Sequence, residues 1–191
     1  MKFTISFLLV LLLGACSSRP NLPAESVESQ LHQQQLSQLT HWQIDGRMAY
    51  IDGKEKHSAN FSWQQQPGTF NLDLRTFIGT SILHLQQQKQ NATLEMDNEY
   101  YTAPNATELL DKLTGWHIPV KQLSTWIKGQ STGKEQVTLA TAGWVEQLIY
   151  QGWRVDYSHY QAVSHLALPH EVRLQKQQRK IILRINQWQL N

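Results

Sequence analysis

From Trp42 onward the apolar residues fall in short alternating runs separated by turn clusters, and this pattern restricts the chain to strands over most of its length. Trp42, Ile44, Met48 and Tyr50 open it, followed by Phe61 and Trp63, Phe70, Leu72 and Leu74, Ile82, Leu83 and Leu85, then Leu94 and Met96. Apolar residues two apart lie on one face of a strand. Asp52-Gly53-Lys54 and Pro67-Gly68-Thr69 mark turns between runs, a spacing of roughly 8–12 residues that signals an antiparallel meander. About six consecutive strands are predicted between residues 41 and 102. Alternation returns at Trp153, Val155 and Tyr157, at Val172 and Leu174, and at Ile181, Leu183 and Ile185. A sheet of about ten or eleven strands must curl, and its edges must be closed or covered.

About three helices are available as covers. Ala24 to Leu39 carries Val27, Leu31, Leu36 and Leu39 as a narrow amphipathic stripe. Asn105 and Glu108 have capping-box spacing before Leu109, Leu110 and Leu113, with Gly115 as the stop. Pro119 fits a first helical turn, and Leu123, Trp126 and Ile127 follow at helical spacing before Gly129. Gln130 to Gly143 is expected to be a loop, and the glutamine triplets 64–66 and 86–88 are expected in turns.

Composition removes several function classes. The formal net charge is only +2, with no block of Lys and Arg, so nothing marks a nucleic-acid partner. The single cysteine, Cys16, forbids an internal disulfide framework and a thiolate zinc cluster. Charged residues are 17 % of the chain, against about a quarter in an average domain, and 24 glutamines carry much of the remaining polarity. Seven Trp, six Tyr and five Phe argue for one sizeable apolar core.

Residues 1–15 read as a signal peptide: Lys2, an apolar run from Phe7 to Leu13, then Gly14 and Ala15. The run is shorter than the roughly 20 residues of a membrane-spanning helix. Leu13-Gly14-Ala15-Cys16 resembles the bacterial lipobox, which implies that Cys16 receives a diacylglycerol thioether and an N-acyl group after cleavage. Residues 16–23 then form a lipidated N-terminus and tether, and 24–191 a single domain. Ser17 after the cysteine resembles the sorting signal for the outer membrane.

Signals for chemistry are absent. There is no G-x-S-x-G, H-E-x-x-H or P-loop. His159, His165 and His170 lack a one-face ligand spacing and read as surface or loop histidines. Asp73 and Arg75 alternate with Leu72 and Leu74 and read as a solvated strand face, whereas Asp52, Glu55 and Asp97 fall in turns. No catalytic residue, metal or cofactor is expected.

An ordered series of motifs goes further. Gly46-Arg47-Met48-Ala49-Tyr50, Asn60-Phe61-Ser62-Trp63-Gln64-Gln65, Phe70-x-Leu72-x-Leu74, Phe77-Ile78-Gly79-Thr80, Tyr101-Thr102-Ala103, Leu113-Thr114-Gly115-Trp116-x-Ile118-Pro119 and Trp126-Ile127-x-Gly129 resemble the successive motifs of the LolB family of outer-membrane lipoproteins. The resemblance implies a half-open antiparallel β-barrel covered by helices, with an apolar cavity for acyl chains. It also implies a monomeric, lipid-anchored receptor on the periplasmic face of the outer membrane. Such a receptor takes lipoproteins from the periplasmic carrier LolA and inserts them. Ile78 matches the family's exposed apolar loop residue, usually a leucine after proline; here Phe77 replaces the proline and Gly79 follows. The bland alternative for Phe77 and Ile78 is packing at a strand end. Cavity-lining candidates are Trp42, Met48, Phe61, Trp63, Leu72, Leu74, Leu83, Leu85 and Trp126, and Arg47, Lys54 and Lys56 are candidates for a basic carrier-docking face near the cavity mouth. Two other readings stay open: a lipoprotein that binds lipid or another apolar ligand without receiving protein cargo, and an envelope hydrolase with catalytic groups scattered in sequence.

Overall fold

A computed structural model describes residues 23–53 and 55–190. The signal peptide, the lipobox with Cys16, and Lys54 lie outside the described residues. Among the described residues eleven strands form one antiparallel sheet, accompanied by three helices. Helix α1 is Ser29–Gln38, followed by β1 Trp42–Asp52, β2 Glu55–Gln66, β3 Thr69–Arg75, β4 Ser81–Gln88, β5 Asn91–Met96 and β6 Glu99–Ala103. Helices α2 Ala106–Thr114 and α3 Val120–Trp126 come next, then β7 Gln136–Leu139, β8 Val145–Tyr150, β9 Trp153–Val163, β10 Leu166–Lys176 and β11 Arg179–Leu190.

The spatial order is β6-β5-β4-β3-β2-β1-β11-β10-β9-β8-β7. The two meanders therefore join through β1 and β11, and β6 and β7 are left as the edges. α2 packs over β4, β5 and β6 on one side of this opening, so the barrel is half-open and helix-covered, as the sequence leads one to expect. Inward positions of the long strands are mostly apolar: Trp42, Ile44, Met48 and Tyr50 of β1 are buried while Arg47 between them is exposed. Connections β1–β2, β3–β4 and β10–β11 share one end of the barrel, here the upper end; β2–β3, β4–β5 and β9–β10 share the lower end.

Four sequence expectations change. The first helix begins at Ser29, because the N–H groups of Ala24 and Val27 are already donated to Tyr160 O (3.2 Å) and Ala142 O (2.8 Å). Glu28 then caps it, its carboxylate accepting from Gln30 N and Leu31 N. The glutamine triplets are the ends of β2 and β4, where Gln86 Nε2 donates to Asn71 Oδ1 at 3.0 Å on the solvated face. The presumed loop 130–143 contains β7. His170 is buried in β10, its Nδ1 2.8 Å from Ile185 O, and its pKa is lowered by burial. His159 and His165 are exposed as expected, and Asp52 and Glu55 are the strand residues that flank their turn.

Candidate functional site

The lower end of the barrel is closed by aromatic rings. Phe70, Trp63, Trp42 and Trp188, from four neighbouring strands, contact in series with centroids 5.5, 5.7 and 5.7 Å apart. Rings in tilted contact at these distances add about 0.5–1.5 kcal/mol per pair beyond burial. The Trp188 indole N–H is satisfied by Pro169 O at 3.1 Å.

Above this floor, between the sheet and the α2–α3 helices, lies a cavity lined only by hydrocarbon and aromatic side chains. Met48, Phe61, Trp63, Leu72, Leu74 and Leu83 form the β1–β4 wall, Ile181 and Leu183 of β11 extend it, and Leu110, Trp116, Ile118, Val120 and Leu123 come from the helical side. Six of the nine sequence candidates thus meet around one space. Trp42, Leu85 and Trp126 do not line it. Trp42 is in the aromatic floor, Leu85 is fully buried on β4 where α2 covers the sheet, and Trp126 packs toward β8. The Trp126 indole N–H donates to Glu135 at 3.1 Å, and Ser131 Oγ and Thr132 N reach the same carboxylate at 2.8 Å. Burial alone raises the Glu135 pKa, but these donors outweigh it and hold the carboxyl down at about 2.

The helix residues of the wall were outside the sequence candidates. Their signal was present in Leu109, Leu110 and Leu113 and in the Trp116-x-Ile118-Pro119 motif, but a periodicity cannot say which sheet face a helix covers. Asn105 Oδ1 accepts from Glu108 N at 2.9 Å to start α2, and Gly115 ends it at φ +68°. That left-handed residue turns the chain so that Trp116 stacks on Tyr50 at 4.9 Å and approaches His57 at 5.6 Å. Trp116 therefore stoppers the upper end. The cavity is small, about 30 Å³, where ligand pockets run roughly 300–1,000 Å³.

The β3–β4 connection is at that same upper end. Thr76 N donates to Thr80 O (2.8 Å), Gly79 N to Thr76 O (3.0 Å) and Thr80 N to Thr76 Oγ1 (3.1 Å). Gly79 has φ +92°, a conformation open to glycine at no steric cost. This frame projects its tip outward: Phe77 is 66 % and Ile78 91 % exposed. The pair does not pack at a strand end. Arg47 and Lys56 alternate with inward residues and lie on the convex face, away from the cavity, which corrects their expected place at its mouth. Among the described residues no group of three His, Cys, Asp or Glu side chains could hold a metal ion.

Residues 40–188 match the family described as Outer membrane lipoprotein LolB. The chain is 37 % identical to the outer-membrane lipoprotein LolB of Vibrio cholerae, covering 95 % of this chain and 92 % of that one. It is 32 % identical to the one from Pseudoalteromonas translucida, over 100 % and 95 %. Among solved structures, a LolA superfamily protein from Nitrosomonas europaea superposes with a TM-score of 0.52 at 7 % identity, covering 87 % of this chain and 94 % of that one. A likeness at that identity speaks for the fold alone. The family match over residues 40–188, together with relatives 32–37 % identical over nearly the whole chain, places this chain in the LolB family of outer-membrane lipoproteins.

Proposed function

We propose that the chain is a receptor, anchored through acylated Cys16 on the periplasmic face of the outer membrane, that takes lipoproteins from the carrier LolA and inserts them into that membrane. It acts as a monomer and without covalent chemistry. The observation that carries this reading is the cavity between sheet and helices, whose lining is wholly apolar. An acyl chain in water is disfavoured by about 0.8 kcal/mol for each methylene that could be buried, so a triacylated cargo needs cover of this kind.

At about 30 Å³ the cavity is too small for an acyl chain, and accepting one requires the α2–α3 side to move off the sheet. Separating Trp116 from Tyr50 opens the upper end. Cargo then leaves beside the Phe77–Ile78 tip, which dips into the bilayer. The sequence of transfers needs no energy source, only tighter binding at each successive site.

The test is a transfer assay with purified carrier loaded with a radiolabelled lipoprotein, this chain, and outer-membrane vesicles. Carrier-dependent passage of the label to this chain and then to vesicles is the expected result. A chain that takes up free phospholipid or fatty acid but never lipoprotein would instead be an apolar-ligand binder, and the receptor reading would be wrong.

A further inference from the structure

The convex face of the sheet next to the tip carries a segregated positive charge that the cavity does not use. Register places Arg184, Arg47, Asn60 and Arg75 in one row across β11, β1, β2 and β3, with their side chains outward. Two rows nearer the upper end, Lys180 and Lys56 flank Ile51. Arg184 is held by Glu171 at 3.0 Å, but Arg47, Lys56 and Arg75 have no carboxylate partner among the described residues. Of the acids on the same face, Glu171 lies in the arginine row and is taken up by Arg184 and Arg173, and Asp45 and Asp73 sit one row toward the lower end, where Gln43 and His84 bind them. Asp52 belongs to the opposite face and pairs with Arg179. Positive charge is thus concentrated here on a chain whose formal total is only +2.

Between the cations runs a shallow groove of about 270 Å³. Arg47, Lys56 and Arg184 rim it, Ala49, Ile51 and Ile182 form its floor, and exposed Phe77 closes one end. The groove is therefore continuous with the apolar tip. A cationic rim around an apolar floor, continuous with an exposed apolar tip, has the chemistry of the headgroup boundary of a bilayer, where anionic phosphates lie above acyl chains.

We infer that this groove seats the phosphate headgroup of an anionic phospholipid, so that the convex face beside the tip lies against the membrane during delivery. The inference rests on the tip of the proposed receptor entering the bilayer. It fixes which side of the molecule faces the lipid: Arg47 and Lys56 of the groove rim against phosphates, with Arg75 beside the groove in the same row as Arg47, Phe77 and Ile78 below them among acyl chains, and the Trp116 stopper at the same end.

The full chain, reconstituted in phosphatidylethanolamine vesicles with and without phosphatidylglycerol, tests this through the reaction of lysines with a membrane-impermeant amine reagent, read by peptide mass spectrometry. Each cation at an anionic surface contributes on the order of fivefold in binding. Lys56 is expected to react at least tenfold more slowly when phosphatidylglycerol is present, while exposed Lys121 on α3 is unchanged. The double variant Arg47→Gln/Arg75→Gln is expected to lose most of the Lys56 protection while keeping the wild-type circular dichroism, since both side chains are exposed. Glycerol phosphate in solution is expected to give none. Equal Lys56 rates in the two vesicles, or protection that survives the double substitution, overturns the inference. Protection by an acidic protein without anionic lipid, with none from the vesicles, overturns it in favour of a protein-docking face. Failed cargo transfer with Lys56 still protected would count against the receptor reading and leave this one standing.

Discussion

Ile78 is nine-tenths exposed on a loop whose backbone is fixed by three hydrogen bonds, none of which involves its side chain. An apolar side chain so placed gains nothing for the fold and is available to a partner. Ile78→Glu is expected to leave the unfolding free energy within about 0.5 kcal/mol of wild type, to leave cargo acceptance intact, and to stop insertion into vesicles. Normal insertion by that variant would remove the tip from the mechanism. The sequence named this residue only through resemblance, since an apolar pair at a strand end can pack or protrude; the left-handed Gly79 and the Thr76 hydrogen bonds decide it. Glu135 makes a second residue-level prediction. Its folded pKa of about 2 lies below the ordinary 4.5, so its contribution is present above pH 4.5 and lost as pH falls toward 2. Glu135→Gln is expected to cost about 1 kcal/mol at pH 7, allowing for its partial exposure, and to flatten the acid limb of a stability–pH curve over that window.

Among the elements, β1 depends on a glycine. The register between β1 and β11 shifts between Asp45 and Gly46, and a Cβ on Gly46 would stand 2.1 Å from Arg184 O. That contact is with backbone, which cannot move aside without breaking the pairing that joins the two meanders. Gly46→Ala is expected to destabilise the domain by about 3 kcal/mol in chemical denaturation. Asn105→Ala, which removes the cap of α2, is expected to cost about 1 kcal/mol. Strand and helix identities were legible because their periods differ, and the caps at Asn105 and Gly115 were legible because they use specific residue types. The start of α1, the strand ends at Gln64–Gln66 and Gln86–Gln88, and β7 were not. The start of α1 is set by partners distant in sequence, Tyr160 and Ala142 for residues 24 and 27, whereas the glutamine strand ends and β7 are set by pairing with the neighbouring strand, as Gln86 with Asn71 of β3 and β7 with β8, which apolar periodicity does not report.

At the scale of the molecule, eleven strands leave one opening, and both strands beside it are short, β6 with five residues and β7 with four. Short edges limit strand addition by other chains, and α2 and α3 are the chain between them. The sequence could name apolar positions for the interior but could not separate floor from wall, because Trp42 and Trp63 follow the same alternation; only the third dimension puts one in the aromatic floor and the other also at the cavity. The account stands on where a cargo acyl chain goes. A lipoprotein carrying a photoreactive fatty acid, delivered by its carrier and irradiated while bound to the full chain, measures this directly. The account expects cross-links to peptides bearing Phe61, Leu74, Leu110 and Leu183, which surround the cavity. Cross-links confined to the convex face or the Phe77–Ile78 tip, with the cavity peptides unmodified, would contradict it.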